Sequence, residues 1–190
     1  MLSQKEFINN VVEKLQKAGI DYAICGSMAA TFYGVTRSTQ DTDIIINPTE
    51  EKLINFLNLL GDAYYASKDA VIEALKQGGM FNIIEVENAW KADLIIQKKS
   101  AFSVEEFRRK RKENLLGKDL YILSPEDSVL SKLVWAKQSR SETQYRDVMT
   151  ILEAKAAQLD MNYLNKWAKF LDVEDDLNKC LSQVEDLRQK

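Results

Sequence analysis

The chain has 190 residues, 45% of them hydrophobic and 29% charged, with a formal net charge of −3, two cysteines and no histidine. This is the balance of a globular protein large enough to bury a core; its negative charge argues against broad electrostatic binding of nucleic acid, and the absence of any apolar run near the roughly 20 residues needed to cross a bilayer argues against a membrane partner. Without histidine there is no Ser-His or Cys-His triad and no histidine-based zinc site, so any chemistry rests on carboxylates, lysine, arginine and hydroxyls, which favours hard cations such as magnesium.

The first residues run directly into an amphipathic pattern. Phe7, Val11, Val12 and Leu15 share a helical face over Ser3 to Ala18, and Gly19 ends it. No signal-peptide core precedes it, and Cys25 and Cys180 are too far apart for a disulfide framework or zinc spacing, so a reducing cytoplasm is the expected compartment. Tyr22 to Cys25 reads as a short buried strand, Gly26-Ser27 as a turn, and Met28 to Tyr33 as a short helix. Asp41 to Ile46 reads as a strand, with Asn47-Pro48 as cap and first turn of a helix burying Leu53, Phe56, Leu57 and Leu60. A further helix, Lys68 to Gln77, precedes two β-rich runs, Met80 to Val86 and Trp90 to Gln97, with a hairpin turn at Glu87-Asn88-Ala89.

Ser103-Val-Glu-Glu106 has the form of a capping box, which predicts a helix carrying the basic run Arg108-Arg109-Lys110-Arg111-Lys112. On that helix Arg108, Arg111 and Lys112 share a face. Such a face is either simply solvated or, if it borders the active site, an attractor for a polyanionic acceptor. Leu120 to Leu123 is the last expected strand, and the remainder reads as helices to the chain end. The expected organisation is an αβ catalytic domain over 1–123, a mixed sheet flanked by helices, followed by a C-terminal helical bundle over 124–190.

The chemistry-bearing string is Gly26-Ser27, Arg37, Thr39, Asp41 and Asp43. The period of two along a strand points Asp41 and Asp43 to one side, while Ile44, Ile45 and Ile46 carry the strand into a core. Two carboxylates at the exposed end of a buried strand suit one or two divalent cations bridging the phosphates of a triphosphate. Gly26 and Ser27, between a strand and a helix, offer backbone N–H groups to phosphate, although Ser27 equally suits a helix cap. Arg37 would either contact phosphate or brace Asp41.

A strand, Gly-Ser, a short helix and an Asp-x-Asp heading a second apolar strand together resemble the opening motif of the DNA polymerase β-like nucleotidyltransferase superfamily. With Tyr33-Gly34, Arg37 and Thr39 the string looks like the AbiEii-like nucleotidyltransferases of the type IV toxin–antitoxin group, with Ser27 where many members have a second glycine. The resemblance implies a third metal-binding carboxylate, which Asp93 in Trp90-Lys-Ala-Asp-Leu-Ile-Ile96 fits, with Glu85 and then Glu87 as competitors. It also implies a helical lysine and a later aspartate, matched by Lys132 and by Asp147 after Arg146, with Lys132 holding the triphosphate. The expected activity is transfer of a nucleoside monophosphate from an NTP, with Mg2+ or Mn2+, to tRNA, a protein or a small molecule. The alternatives are a non-catalytic nucleotide-binding module and a toxin–antitoxin-like interaction module with an antitoxin-type partner.

Overall fold

The computed structural model describes residues 2–37 and 39–188. The chain divides into two compact units, one of residues 1–28 and 38–122, the other of residues 29–37 and 123–190. The first unit begins with α1 (Gln4–Lys17), where the Ser3 side chain accepts from the Glu6 N–H and the Glu6 carboxylate accepts from the Ser3 N–H, a reciprocal cap. β1 (Asp21–Ile24) follows, then α2 (Gly26–Phe32), within which the boundary between the units falls, and β2 (Asp41–Asn47). Because β2 runs on through Asn47, the expected Asn47-Pro48 cap is replaced by Thr49, whose side chain accepts from the Lys52 N–H at the start of α3 (Glu50–Leu60).

A short strand that the pattern does not predict, β3 (Tyr64–Ala66), precedes α4 (Lys68–Gln77) and the expected hairpin of β4 (Met80–Glu85) and β5 (Lys91–Ile96). α5 (Ala101–Arg108), β6 (Arg111–Leu115) and β7 (Lys118–Ile122) complete the unit. The seven strands form one mixed sheet in the order β3-β4-β5-β2-β1-β7-β6. The β2–β5 and β1–β7 pairs are parallel and the other four are antiparallel. The expected α/β fold with a mixed sheet flanked by helices, followed by helices, is therefore observed.

Strand alternation sorts the sheet into two faces. One carries Tyr22, Ile24, Ile44, Ile46, Phe81, Ile83, Leu94 and Ile96, all buried; on it Phe7 of α1 stacks on Tyr64 of β3 with ring centroids 6.2 Å apart. The other carries Asp41 and Asp43 on β2, Lys91 and Asp93 on β5, and Met80, Asn82 and Ile84 on β4.

The basic run is not a helix, contrary to the capping-box reading. Ser100 is the N-cap of α5, Ser103 lies buried inside it, and the helix ends after Arg108 with Arg109 as its C-cap. Arg111 and Lys112 belong to β6, which is joined to β7 through Leu116 and Gly117, both at positive φ (55° and 74°). This two-residue turn matches the twist of paired strands, and the ladder to β7 prevails over the local helical signal. Arg108, Arg111 and Lys112 thus share no helical face. Arg108 pairs with Glu105, Lys110 with Asp21, and Lys112 with Asp119.

The second unit contains α6 (Pro125–Ser139), α7 (Glu142–Lys155), α8 (Met161–Phe170) and α9 (Glu174–Arg188). Ser124 caps α6 with Pro125 in its first turn, and Asp160 caps α8. Leu130, Leu133, Val148, Ile151, Leu164 and Leu177 form its core, and the Tyr33 hydroxyl donates to the Leu123 carbonyl at 2.7 Å. The expected continuation of the last helix through Gln189 and Lys190 lies outside the described residues. No helix among the described residues is long and apolar enough to cross a membrane.

Candidate active site

β2 is exposed at its start and buried beyond it. Asp41 is exposed, Asp43 half-buried, and Ile44 to Ile46 are in the core. The parallel ladder to β5 sets Asp41 beside Lys91 and Asp43 beside Asp93. Paired residues of neighbouring strands point to the same side, so Asp41, Asp43 and Asp93 share one face. Asp93 is 8% exposed, and its Oδ1 is buried without a hydrogen-bond partner. The Lys91 ammonium stands 3.4 Å from Asp41 Oδ1 and 3.4 Å from Asp93 Oδ2. Burial pulls this ammonium toward its neutral form, but the charges of Asp93 and Asp41 outweigh that and raise it above the ordinary lysine range.

Gly26 closes one side of the carboxylates. The Cys25 N–H donates to the Asp43 carbonyl at 2.9 Å, drawing the turn after β1 against β2. Gly26 has φ of +59°, and a Cβ there would lie 1.9 Å from Asp43 Oδ2. Only glycine satisfies both the backbone conformation and this contact. Ser27 follows, half-buried, in the first turn of α2.

The competitors for the third carboxylate are elsewhere. Glu85 is on the opposite face and accepts from the Glu87 N–H, the Asn88 N–H and the Asn88 side-chain amide, closing the β4–β5 turn. Burial pushes its carboxyl up, but these donors prevail and hold it below the ordinary range. Glu87 is exposed in the turn.

Three aspartates supply oxygen donors only, the chemistry of a Mg2+ or Mn2+ site. The unpartnered, buried Oδ1 of Asp93 is an acceptor such an ion could use, since most buried polar atoms in proteins have a partner. Among the described residues, however, no three ligating side chains converge tightly enough to define a metal centre as they stand. Asp41 and Asp93 are instead bridged by the Lys91 ammonium. The donor set fits a divalent cation.

Arg37, Lys132 and Asp147 lie in the second unit and form one cluster. Asp147, buried between α6 and α7, accepts from Arg37 Nε (3.1 Å) and Nη2 (2.9 Å) and from Lys132 Nζ (2.9 Å), and Lys132 also donates to Gln144 Oε1 at 2.9 Å. Burial pushes the Asp147 carboxyl up, but the bonds and charges of Arg37 and Lys132 outweigh this and lower it. Arg37 therefore braces Asp147. Two cations on one carboxylate leave the cluster a net positive charge.

Two participants were not anticipated. Gln144 carries no signal beyond its place one turn before Asp147. Lys91 could have been found from its spacing, since a residue two before Asp93 on a strand lies on the same face.

No protein-family model matches the sequence, and comparison with curated proteins gives no match. Solved structures do match. The structure of ANT(2")-Ia in complex with adenylyl-2"-tobramycin is similar with a TM-score of 0.59 at 13% identity, over 95% of this chain and 98% of that one. An antigenic nucleotidyltransferase-like protein from Paracoccidioides brasiliensis gives 0.57 at 17% identity over 94% and 92%. The lincomycin-bound lincosamide antibiotic adenylyltransferase LnuA gives 0.55 at 12% identity over 79% and 96%. The fold is that of the nucleotidyltransferases.

Proposed function

We propose that this protein is a metal-dependent nucleotidyltransferase that moves a nucleoside monophosphate from an NTP to a hydroxyl of a small-molecule acceptor. The observation that carries the reading is the placement of Asp41, Asp43 and Asp93 on one sheet face, with Gly26 packed so closely on Asp43 that no side chain fits. Asp41, Asp43 and Asp93 would hold Mg2+ or Mn2+, which when bound neutralises phosphate charge and lowers the pKa of a nearby hydroxyl. The backbone at Gly26 and Ser27 cradles the phosphates. Within the second unit Asp147 holds Arg37 and Lys132 in one cluster, and Lys132 matches the lysine that the sequence resemblance gives to the triphosphate. The acceptor oxygen attacks the α-phosphorus as the bond to the β-phosphate oxygen breaks, pyrophosphate leaves with that electron pair, and Asp93 accepts the hydroxyl proton. Catalysis on this scheme is mainly positioning and charge neutralisation.

A small acceptor is favoured over tRNA by two observations. Arg108, Lys110 and Lys112 are each engaged by a carboxylate, which reduces their pull on a polyanion. Beside Asp93, the same sheet face presents Met80 (54% exposed), Asn82 and Ile84, a mixed apolar and amide surface suited to a ring-bearing alcohol. The molecules bound in the similar structures, adenylyl-2"-tobramycin and lincomycin, carry groups of this kind. Membership of the AbiEii-like group rests on the order Gly26-Ser27, Arg37, Asp41, Asp43, Lys132, Asp147. A reducing, cytoplasmic setting fits the two buried cysteines, Cys25 and Cys180, which form no disulfide with each other.

The test incubates the purified protein with each of the four α-labelled NTPs, Mg2+ or Mn2+, and in turn tobramycin, lincomycin, bulk tRNA and the small-molecule fraction of a cell extract. Label transferred to a small molecule, requiring metal and lost in Asp43→Asn, is the expected result. Transfer to tRNA alone would move the acceptor class, and absence of both transfer and metal-dependent NTP binding would overturn the reading.

A further inference from the structure

Three carboxylates on two adjacent strands repel one another, and the fold answers this with a cation of its own. Lys91 lies directly beside Asp41 in the β2–β5 ladder and two residues before Asp93 on the same strand face. Its ammonium is 3.4 Å from an oxygen of each. One oxygen of Asp93 is thereby engaged, while the other, Oδ1, is buried and unpartnered. A divalent cation bound by these aspartates needs the same Asp41 and Asp93 carboxylates that Lys91 now bridges.

We propose that Lys91 is a tethered counter-ion that holds Asp41 and Asp93 together in the metal-free protein and must yield those oxygens when a divalent cation binds, so that free metal binds weakly and loads together with the triphosphate. The inference rests on the reading of Asp41, Asp43 and Asp93 as metal ligands. Its logic is charge. The Lys91 ammonium offsets part of the negative charge of Asp41 and Asp93, so these carboxylates attract a free divalent ion less than they would without it. The phosphates of a triphosphate restore that attraction by bringing negative charge of their own. The exchange of one cation for another also spares the site the cost of bare, mutually repelling carboxylates. Lys91 is thus a positioning residue: it acts on the metal ligands, and no contact with substrate is required of it.

The experiment titrates the full chain with Mn2+, alone and with a non-hydrolysable ATP analogue, and follows free Mn2+ by electron paramagnetic resonance and unfolding by thermal melt. The variants are Lys91→Met, which keeps the chain length and removes the charge, and Lys91→Arg, which keeps the charge. Lys91→Met is expected to melt lower without metal, to bind Mn2+ alone about tenfold more tightly, and to gain less from the nucleotide than the wild type, with Lys91→Arg near the wild type. Equal or weaker Mn2+ binding by Lys91→Met would overturn the inference. If that variant does not fold, Lys91→Gln replaces it under the same criterion. Failure of Mn2+ to bind the wild type even with nucleotide would overturn the metal reading itself. Normal binding with nucleotide and unchanged affinity in the variant would overturn the role of Lys91 alone.

Discussion

Gly26 and Asp43 are in closer contact than any other residue pair could be at these positions, because a Cβ on residue 26 would lie 1.9 Å from the Asp43 carboxylate. The turn after β1 and the carboxylate strand are therefore fitted to each other. Gly26→Ala forces a left-handed backbone conformation on an L side chain, at about 1–2 kcal/mol, and displaces Asp43 as well. We expect a melting temperature lower by roughly 2–8 °C and loss of metal-dependent NTP binding. Wild-type NTP binding by a folded Gly26→Ala protein would show that the contact has no part in the site.

Asp43 stands beside Asp93 and between Asp41 and the buried part of β2. Asp43→Asn removes one negative charge from a repelling set, so stability is expected to hold or rise slightly. Nucleotide transfer should fall on the order of a hundredfold or more. Comparing thermal melts with initial rates separates the two effects, and a parallel loss of both would mean that Asp43 is structural.

Asp147 governs the second unit's ion cluster. Truncation to alanine leaves the Lys132 ammonium buried without its carboxylate, a change of about 3–5 kcal/mol. Arg37 is more exposed and can turn to water, so most of the loss belongs to Lys132. Denaturant melts of Asp147→Ala and of Asp147→Leu with Lys132→Met should show the double variant recovering most of that stability.

The same residue predicts a pH dependence. The Asp147 carboxyl is lowered in the folded chain, so its contribution is complete above the ordinary aspartate value of about 3.9 and is lost as pH falls through its lower folded value. In Asp147→Asn the acid limb of the stability curve should be flatter, as chemical denaturation between pH 2 and 6 would reveal. An unchanged limb would assign acid unfolding to other carboxylates.

Reversal of Arg108 and Lys112 to glutamate tests the acceptor class. Both now pair with carboxylates, so transfer to a small molecule should change less than twofold and its salt dependence not at all. A shallower salt slope in the variant would instead implicate a polyanion.

How far the sequence could be read follows the range of the interactions involved. Asp41, Asp43 and the isoleucines after them display their strand in a period of two, and the β4–β5 hairpin follows from two β-rich runs around Glu87-Asn88-Ala89. β6 was hidden because its first residues continue a basic run behind a helix, and only Gly117 and the pairing to β7 reveal a strand. Lys91 was visible as a residue but not as a bridge. Its approach to Asp41 depends on the parallel pairing of β2 with β5, a contact between residues 50 apart in the chain. The Arg37–Asp147 pair is likewise a product of tertiary structure, spanning 110 residues.

The register of β5 against β2 also dictates which changes of chain length the protein can absorb. Residues 86–90 form a turn outside the paired strands, so an inserted residue there lengthens the turn and leaves Lys91 and Asp93 in place. The same insertion between Ala92 and Asp93 would rotate Lys91 to the core face or Asp93 away from Asp43, according to which half of the strand slipped. A scan of single-residue insertions along 84–96 should therefore tolerate the turn and lose function abruptly at the strand, in a stretch where point substitutions of the exposed positions are mild.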